Sequence, residues 1–447
     1  MRMSRPTRLS TLAVAVALGV GTAFAGAAPA AAQEGMTAEQ EAAVQDLSTA
    51  PTATEQARWD AARSALAQTA DEDFYATPAE IPGTPGTLIR SEPMDFYLDP
   101  VKLIRYPAEA TRVMYSSVNA MGEPIAVTGT VLEPDAEWTG SGERPVIAYA
   151  VGTQGVGDQC APSKTLSTGE QYEGIGISAL LSQGYTVVVT DYEGLGTEGL
   201  HTYMVRESQA HTVLDSVRAA AGLEGSGVSA ASPVAIAGYS QGGGASAAAA
   251  ELAGEYAPEL DVKGAYAGAP PADLTQVADA IDGGSSAAFL LFAMAGQLEA
   301  YGVDPGLYLN ALGMQTLEEA STACTSDGSR FAGLDSSTVT DSGQSFPELV
   351  RSDGLLAGIL AEQRLGHEGR HPEMPVMIAH SLTDDIIPYR VGRELGHRWC
   401  AQGSRVRFDP VFTPTHVGGY IASIPRATGF LDAALNDRWT ANSCGWF

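Results

Sequence analysis

The chain is short of charge, and the charge it has is one-sided. Only 17% of its 447 residues are charged, and 53 acids stand against 25 bases, for a formal net charge of −28 at pH 7. A surface of that sign repels phosphates, which argues against nucleic acid as a partner. Cysteine is scarce as well, with Cys160, Cys324, Cys400 and Cys444 making up the whole set. None of them stands in a C-x-x-C pair, so a zinc ribbon or thioredoxin-like centre is not expected. An even count in an exported chain fits two disulfides, with three pairings open from spacing. Internal repeats and heptads are missing. Beyond residue 32 no run is long and apolar enough to span a bilayer, so no stable membrane anchor is expected.

What is present begins with Arg2, Arg5 and Arg8, an apolar run from Leu12 to Ala25, and Ala30-Ala31-Ala32. A basic segment, an apolar core and an A-x-A site predict a secretory signal peptide over residues 1–32, and hence a secreted, extracellular protein. Its removal takes away three arginines and no acid, so −28 becomes −31. Residues 33–72, polar and rich in Ala, Gln and Glu, read as an N-terminal extension.

From Thr87 to Glu133 short runs alternate apolar and polar residues, which predicts an antiparallel meander. Then come short, mostly apolar runs: Val146–Val151, Tyr185–Thr190, Val234–Ala237, Val262–Ala267 and Val376–Ala379. Helix-prone segments separate the first four. Strands buried on both faces and joined by helices predict a parallel sheet covered on each side. Residues 73–269 and 369–447 are assigned to this core, and residues 270–368 to an inserted, mainly helical cap. Within the cap, Ala287–Ala295 is apolar throughout; it suits a cap core, an acyl-chain pocket, or both.

The densest signal is Gly238-Tyr239-Ser240-Gln241-Gly242, directly after Val234–Ala237 and before an alanine-rich helix. Strand, sharp turn and helix with serine at the apex is the nucleophile elbow of an α/β-hydrolase. A serine hydroxyl is a weak nucleophile and needs a base held in one tautomer by a carboxylate. In this fold the order along the chain is serine, acid, histidine. After Val376–Ala379 comes His380-Ser-Leu-Thr-Asp384-Asp385-Ile-Ile-Pro388, and the acid four residues before the proline is Asp384, with Asp385 as its rival. The last histidine, His416, follows the run Val406–Val411 in a turn-rich loop and is the expected base. His201 and His211, on or beside a helix, read as structural. Two oxyanion donors are needed. The Gln241 N–H is one, and the loop Gly152-Thr153-Gln154-Gly155 offers the other, with Gln154 favoured over Thr153. The turn Asp191–Gly196 suits a site floor or a structural turn equally. His367-Glu368-Gly369-Arg370-His371 matches H-E-x-x-H, but Gly369 and Pro372 work against the helix that zinc binding needs. No metal and no cofactor are expected.

With Cys160-Ala-Pro-Ser163, Asp191-Tyr-Glu-Gly194, the Ser240 elbow, Asp384-Asp-Ile-Ile-Pro-Tyr389, Cys400-Ala-Gln-Gly403 and His416 in order, the chain resembles the secretory lipase family, typified by Candida antarctica lipase A. The resemblance covers roughly residues 73–447. It implies Ser240, Asp384 and His416 as a triad and the bridges Cys160–Cys324 and Cys400–Cys444. The chain departs at Gly152-Thr153-Gln154, where the fungal enzyme has Tyr-Glu-Asp, and at Gln241, where it has glycine. The expected activity is a secreted carboxylic ester hydrolase, a triacylglycerol lipase, working as a monomer in contact with a lipid interface. The alternatives are an esterase or acyltransferase on short or bulky esters (polyesters included), a secreted serine peptidase, and a binding protein without activity.

Overall fold

The computed structural model describes residues 74–447 and, ahead of them, Ala57. The leader, residues 1–32, and the extension, residues 33–72 apart from Ala57, lie outside the described residues. Among the described residues nine strands form one sheet. They are β1 (Leu88–Met94), β2 (Ala108–Val118), β3 (Pro124–Pro134), β4 (Val146–Ala150), β5 (Thr186–Thr190), β6 (Val234–Tyr239), β7 (Val262–Gly268), β8 (Val376–Thr383) and β9 (Val406–Pro414). Their spatial order is β1-β2-β3-β5-β4-β6-β7-β8-β9. The meander β1–β3 is antiparallel and joins β5 antiparallel, whereas every later pairing is parallel. The change follows composition: β4 (VIAYA) and β5 (TVVVT) are buried at every residue, as strands covered on both faces must be.

The flanking helices are α1 (Pro162–Thr168), α2 (Gly174–Leu181), α3 (Arg206–Gly222) and α4 (Gln241–Tyr256). Between β7 and β8 the chain makes five more, α5 (Leu274–Ile281), α6 (Ala287–Ala300), α7 (Ala311–Ser321), α8 (Phe346–Ser352) and α9 (Gly354–Gln363). The last two are α10 (Tyr389–Ala401) and α11 (His416–Leu435). Helix α3 packs on α4, and α4 lies on β4, β6 and β7; α11 packs on α2 and on β6 to β9. The helical stretch between β7 and β8 departs and returns at one place, where the Leu365 N–H donates to the Ala272 carbonyl at 3.1 Å. No helix among the described residues is long and apolar enough to cross a membrane.

Cys160 is bonded to Cys324 and Cys400 to Cys444. The first bond joins the segment after β4 to the segment after α7. An antiparallel bridge between Gly155 and Cys324 lies beside it.

Candidate active site

Ser240 stands between β6 and α4 with φ 62° and ψ −123°, a backbone conformation that side chains rarely adopt. The glycines around it are required by contact. A Cβ on Gly238 would lie 2.2 Å from the Gly242 carbonyl oxygen, and one on Gly242 would lie 2.0 Å from that of Ala150. The turn is held by the Ser240 N–H donating to the Gly268 carbonyl at 2.9 Å. Gln241 is the first residue of α4, so its N–H lies at the positive end of that helix.

Asp384 follows β8, which runs on past Ala379 to Thr383 and carries the carboxyl group to the end of the sheet. Asp384 Oδ2 lies 2.7 Å from His416 Nδ1, and Oδ1 accepts the N–H groups of Ile386 at 3.0 Å and Ile387 at 2.8 Å. Burial is the largest influence on this carboxyl group and pushes its pKa up. The bond to His416, the charge of His416 and His380, and the Ile386 N–H outweigh it and hold the pKa below the usual carboxylate value. Asp385 turns elsewhere: it is exposed, and its Oδ1 accepts the backbone N–H of His416 at 2.7 Å. The two neighbouring carboxylates thus hold the same histidine, one by its ring and the other by its backbone.

His416 opens α11 behind Thr415, whose φ of 66° and side-chain bond to the Gly418 N–H at 3.1 Å turn the chain sharply from β9. Its Nε2 is buried and makes no hydrogen bond. The residue before the serine braces it: the Tyr239 hydroxyl donates to the His416 carbonyl at 2.8 Å, and the two rings lie 5.0 Å apart. Beside Ser240 is a cavity of about 50 Å³, lined by Thr153, Gln241, Leu274, Ala278, Leu290, Ala293, Ile386 and Ile387 among others. Four of these residues (Leu274, Ala278, Leu290 and Ala293) also wall a second, apolar cavity of about 80 Å³ among α5, α6, α8 and α9. In the run Ala287–Ala295, Leu290 and Ala293 face the cavities, while Leu291, Phe292 and Ala295 are packed in the core. One helix thus lines the cavities on one side and packs into the core on the other.

Gln154, favoured as a donor, does not line the cavity beside Ser240; Thr153 does. The Gln154 side chain folds back, donating to the Gly152 carbonyl at 2.9 Å and accepting from Gln171 at 3.1 Å. Asp191 belongs to the structure rather than to a site floor. Its carboxylate accepts the Ser163 N–H at 2.8 Å, the Thr128 hydroxyl at 2.7 Å and the Ser163 hydroxyl. His367 and His371 lie in irregular chain on either side of a turn at Glu368–Gly369, with Gly369 at φ 81°, not on one helical face.

Three further residues brace the site; the sequence marks His201 as structural and leaves the contacts of the other two unread. His380, buried beneath Asp384, has Nε2 at 2.9 Å from the Ile387 carbonyl and 3.5 Å from Asp384 Oδ2, and burial lowers its pKa. The H-x-x-x-D spacing carried that signal. His201 has Nδ1 at 2.7 Å from the Glu193 carbonyl and Nε2 at 3.1 Å from the Gln241 amide. Burial lowers its pKa to about 4, so a neutral ring steadies the side chain next to Ser240. Glu173 accepts the Gly152 N–H at 3.1 Å, and no motif pointed to it.

Known proteins carry the same arrangement of chain. The profile of the secretory lipase family matches residues 159–443. A probable inactive lipase of Mycobacterium tuberculosis is 32% identical over 376 residues, 81% of this chain and 81% of that protein. A secreted triacylglycerol lipase of Malassezia globosa is 27% identical over 395 residues, 84% of this chain and 81% of that one. The closed-state crystal structure of Candida antarctica lipase A superposes with a TM-score of 0.74 at 25% identity, covering 84% of this chain and 88% of the lipase. With the serine turn, both carboxylates and His416 all inside the matched residues, this α/β-hydrolase belongs to the secretory lipase family and is a serine ester hydrolase.

Proposed function

We propose that the chain is a secreted triacylglycerol lipase acting through Ser240, His416 and Asp384. The observation that carries this is the 2.7 Å bond from Asp384 to His416 Nδ1 together with a buried, unpartnered Nε2. With Nδ1–H committed to the carboxylate, Nε2 is left as an acceptor, ready for the Ser240 proton. Ser240 Oγ attacks the ester carbonyl and its proton passes to Nε2. The oxyanion is met by the Gln241 N–H and, from the loop after β4, the Thr153 N–H. Nε2–H then protonates the departing alcohol, and water activated by the same nitrogen releases the acid. Residues 270–368 act as a cap whose wall of Leu274, Ala278, Leu290 and Ala293 decides how far an acyl chain penetrates.

A second reading has a specific observation behind it, since the 32% identical mycobacterial relative bears the name of an inactive lipase. A fluorophosphonate separates the two: stoichiometric labelling, lost in Ser240→Ala together with hydrolysis of p-nitrophenyl esters, supports the lipase. A chain that takes no label and turns over no ester of any length is the inactive binder. A Ser240→Ala variant that keeps more than a few per cent of wild-type turnover would overturn the mechanism, because a triad nucleophile is worth on the order of 10⁶ in kcat.

A further inference from the structure

The backbone N–H of Gly152 does not face the substrate cavity; it is held from behind. Glu173, the residue before α2, is 1% exposed and accepts that N–H on Oε2 at 3.1 Å. The fit is close. A Cβ on Gly152 would lie 2.7 Å from the Tyr172 hydroxyl, 2.9 Å from Glu173 Oε1 and 3.1 Å from the carbonyl oxygen of Tyr239. Tyr239 is the residue before Ser240, so the carboxyl group lies behind both the loop and the elbow. The Tyr172 hydroxyl donates to the Thr153 carbonyl at 3.0 Å, and the Tyr420 hydroxyl, from the helix that His416 opens, to the Glu173 carbonyl at 3.4 Å. Consecutive residues 172 and 173 therefore grip the peptide before Gly152 and the peptide after Thr153, on either side of the one that carries the Thr153 N–H.

We propose that Glu173 is a positioning residue for ester hydrolysis: by anchoring the Gly152 N–H it fixes the peptide planes of residues 152–154 and aims the Thr153 N–H at the developing oxyanion. This rests on the reading of that loop as the oxyanion loop. A group with no cation beside it has a further consequence. The titratable groups that face Glu173 are phenols: Tyr149 of β4, Tyr172 of its own segment, Tyr192 after β5, Tyr239 of β6, Tyr266 of β7 and Tyr420 of α11. Burial pushes the carboxyl pKa up to about 8, with the Gly152 N–H and the Tyr149 hydroxyl pulling the other way. Glu173 is thus neutral at pH 7 and ionised above about 8. In the ionised form a buried negative charge stands behind the place where the oxyanion must form, and opposes it. The phenols around it are themselves shifted upward and keep their protons through this range.

The test is steady-state hydrolysis of a soluble p-nitrophenyl butyrate from pH 6 to 10 by wild type, Glu173→Gln and Glu173→Leu. Wild-type kcat is expected to fall on the alkaline side with an apparent pKa near 8. Glu173→Gln keeps an acceptor for the Gly152 N–H but has no proton to lose, so its profile is expected to be a few-fold lower and flat over that range. Glu173→Leu removes the acceptor and is expected to lose about 10- to 100-fold in kcat, less than the loss of a whole oxyanion donor, with KM little changed. An alkaline limb that persists in Glu173→Gln, or a leucine variant with wild-type kcat, overturns the proposal. If neither variant folds, Glu173→Asp, whose shorter side chain draws the carboxyl group back from the Gly152 N–H, is assayed in their place, and wild-type kcat in that variant overturns the proposal. Failure here with Ser240→Ala inactive refutes only the role of Glu173, whereas an active Ser240→Ala refutes the mechanism on which that role rests.

Discussion

Replacing Asp384 by asparagine is expected to cost about 10⁴ in kcat, and the same change at Asp385 less than about tenfold. Asparagine at 384 can keep its carbonyl oxygen on the N–H groups of Ile386 and Ile387, which Oδ1 accepts at 3.0 and 2.8 Å. That leaves the amide NH₂ facing His416 Nδ1, where Oδ2 now sits at 2.7 Å. Two donors cannot share that contact, so Nδ1 gives up its proton and Nε2 takes one. The nitrogen that should receive the Ser240 proton is then already occupied. At 1.36 kcal/mol per tenfold, a loss of 10⁴ is about 5 kcal/mol of transition-state stabilisation. At 385 the contact is a single acceptor, Oδ1 to the His416 N–H at 2.7 Å, and an amide oxygen supplies it equally well. The assay is kcat on p-nitrophenyl butyrate for the two purified variants, with circular dichroism to confirm equal folding. Asp384→Asn retaining more than about 1% of turnover, or Asp385→Asn being the more damaged, would refute the argument.

Further outcomes follow from other contacts. The Cys160–Cys324 bond closes a separation of 164 residues and Cys400–Cys444 one of 44, worth about 5 and about 4 kcal/mol by loop entropy. Cys324→Ser should lower both melting temperature and kcat, because the neighbouring Thr325 N–H donates to the Gln154 carbonyl at 2.8 Å; Cys444→Ser should lower only the melting temperature. Equal effects on turnover from both would count against the link to the loop. Ala293→Trp puts an indole into a wall shared by two cavities of about 50 and 80 Å³. It should cut kcat/KM for long acyl esters by about tenfold or more while sparing acetate, and equal losses at all lengths would exclude a length filter. Glu173 also links stability to pH. Its folded pKa of about 8 lies above an unfolded value of about 4.3, so the folded state holds a proton that the unfolded chain has released between them. Stability from this group is intact below about 4.3 and drains away as pH rises to about 8; the melting temperature of Glu173→Gln relative to wild type should climb over that window and level off above it.

Some of this molecule was legible along the chain because its signals are local. The strand run Val234–Ala237, the glycines that clear space around Ser240, and the appearance of Asp384-Asp385 and His416 after later buried strands are patterns within a few residues of one another. Apolar runs without alternation marked the parallel strands, and their order placed serine before acid before histidine. What the chain order could not decide were contacts between segments distant in sequence. Which of two adjacent carboxylates meets the imidazole depends on how β8 delivers Asp384 to α11, and whether the Gln154 side chain reaches the cavity depends on Gln171, 17 residues on, which holds it. Glu173 reads as one more acidic residue among 53 until the fold brings it 3.1 Å from a glycine N–H and surrounds it with phenols. Burial, not composition, raises its pKa, and burial is a property of the packed chain.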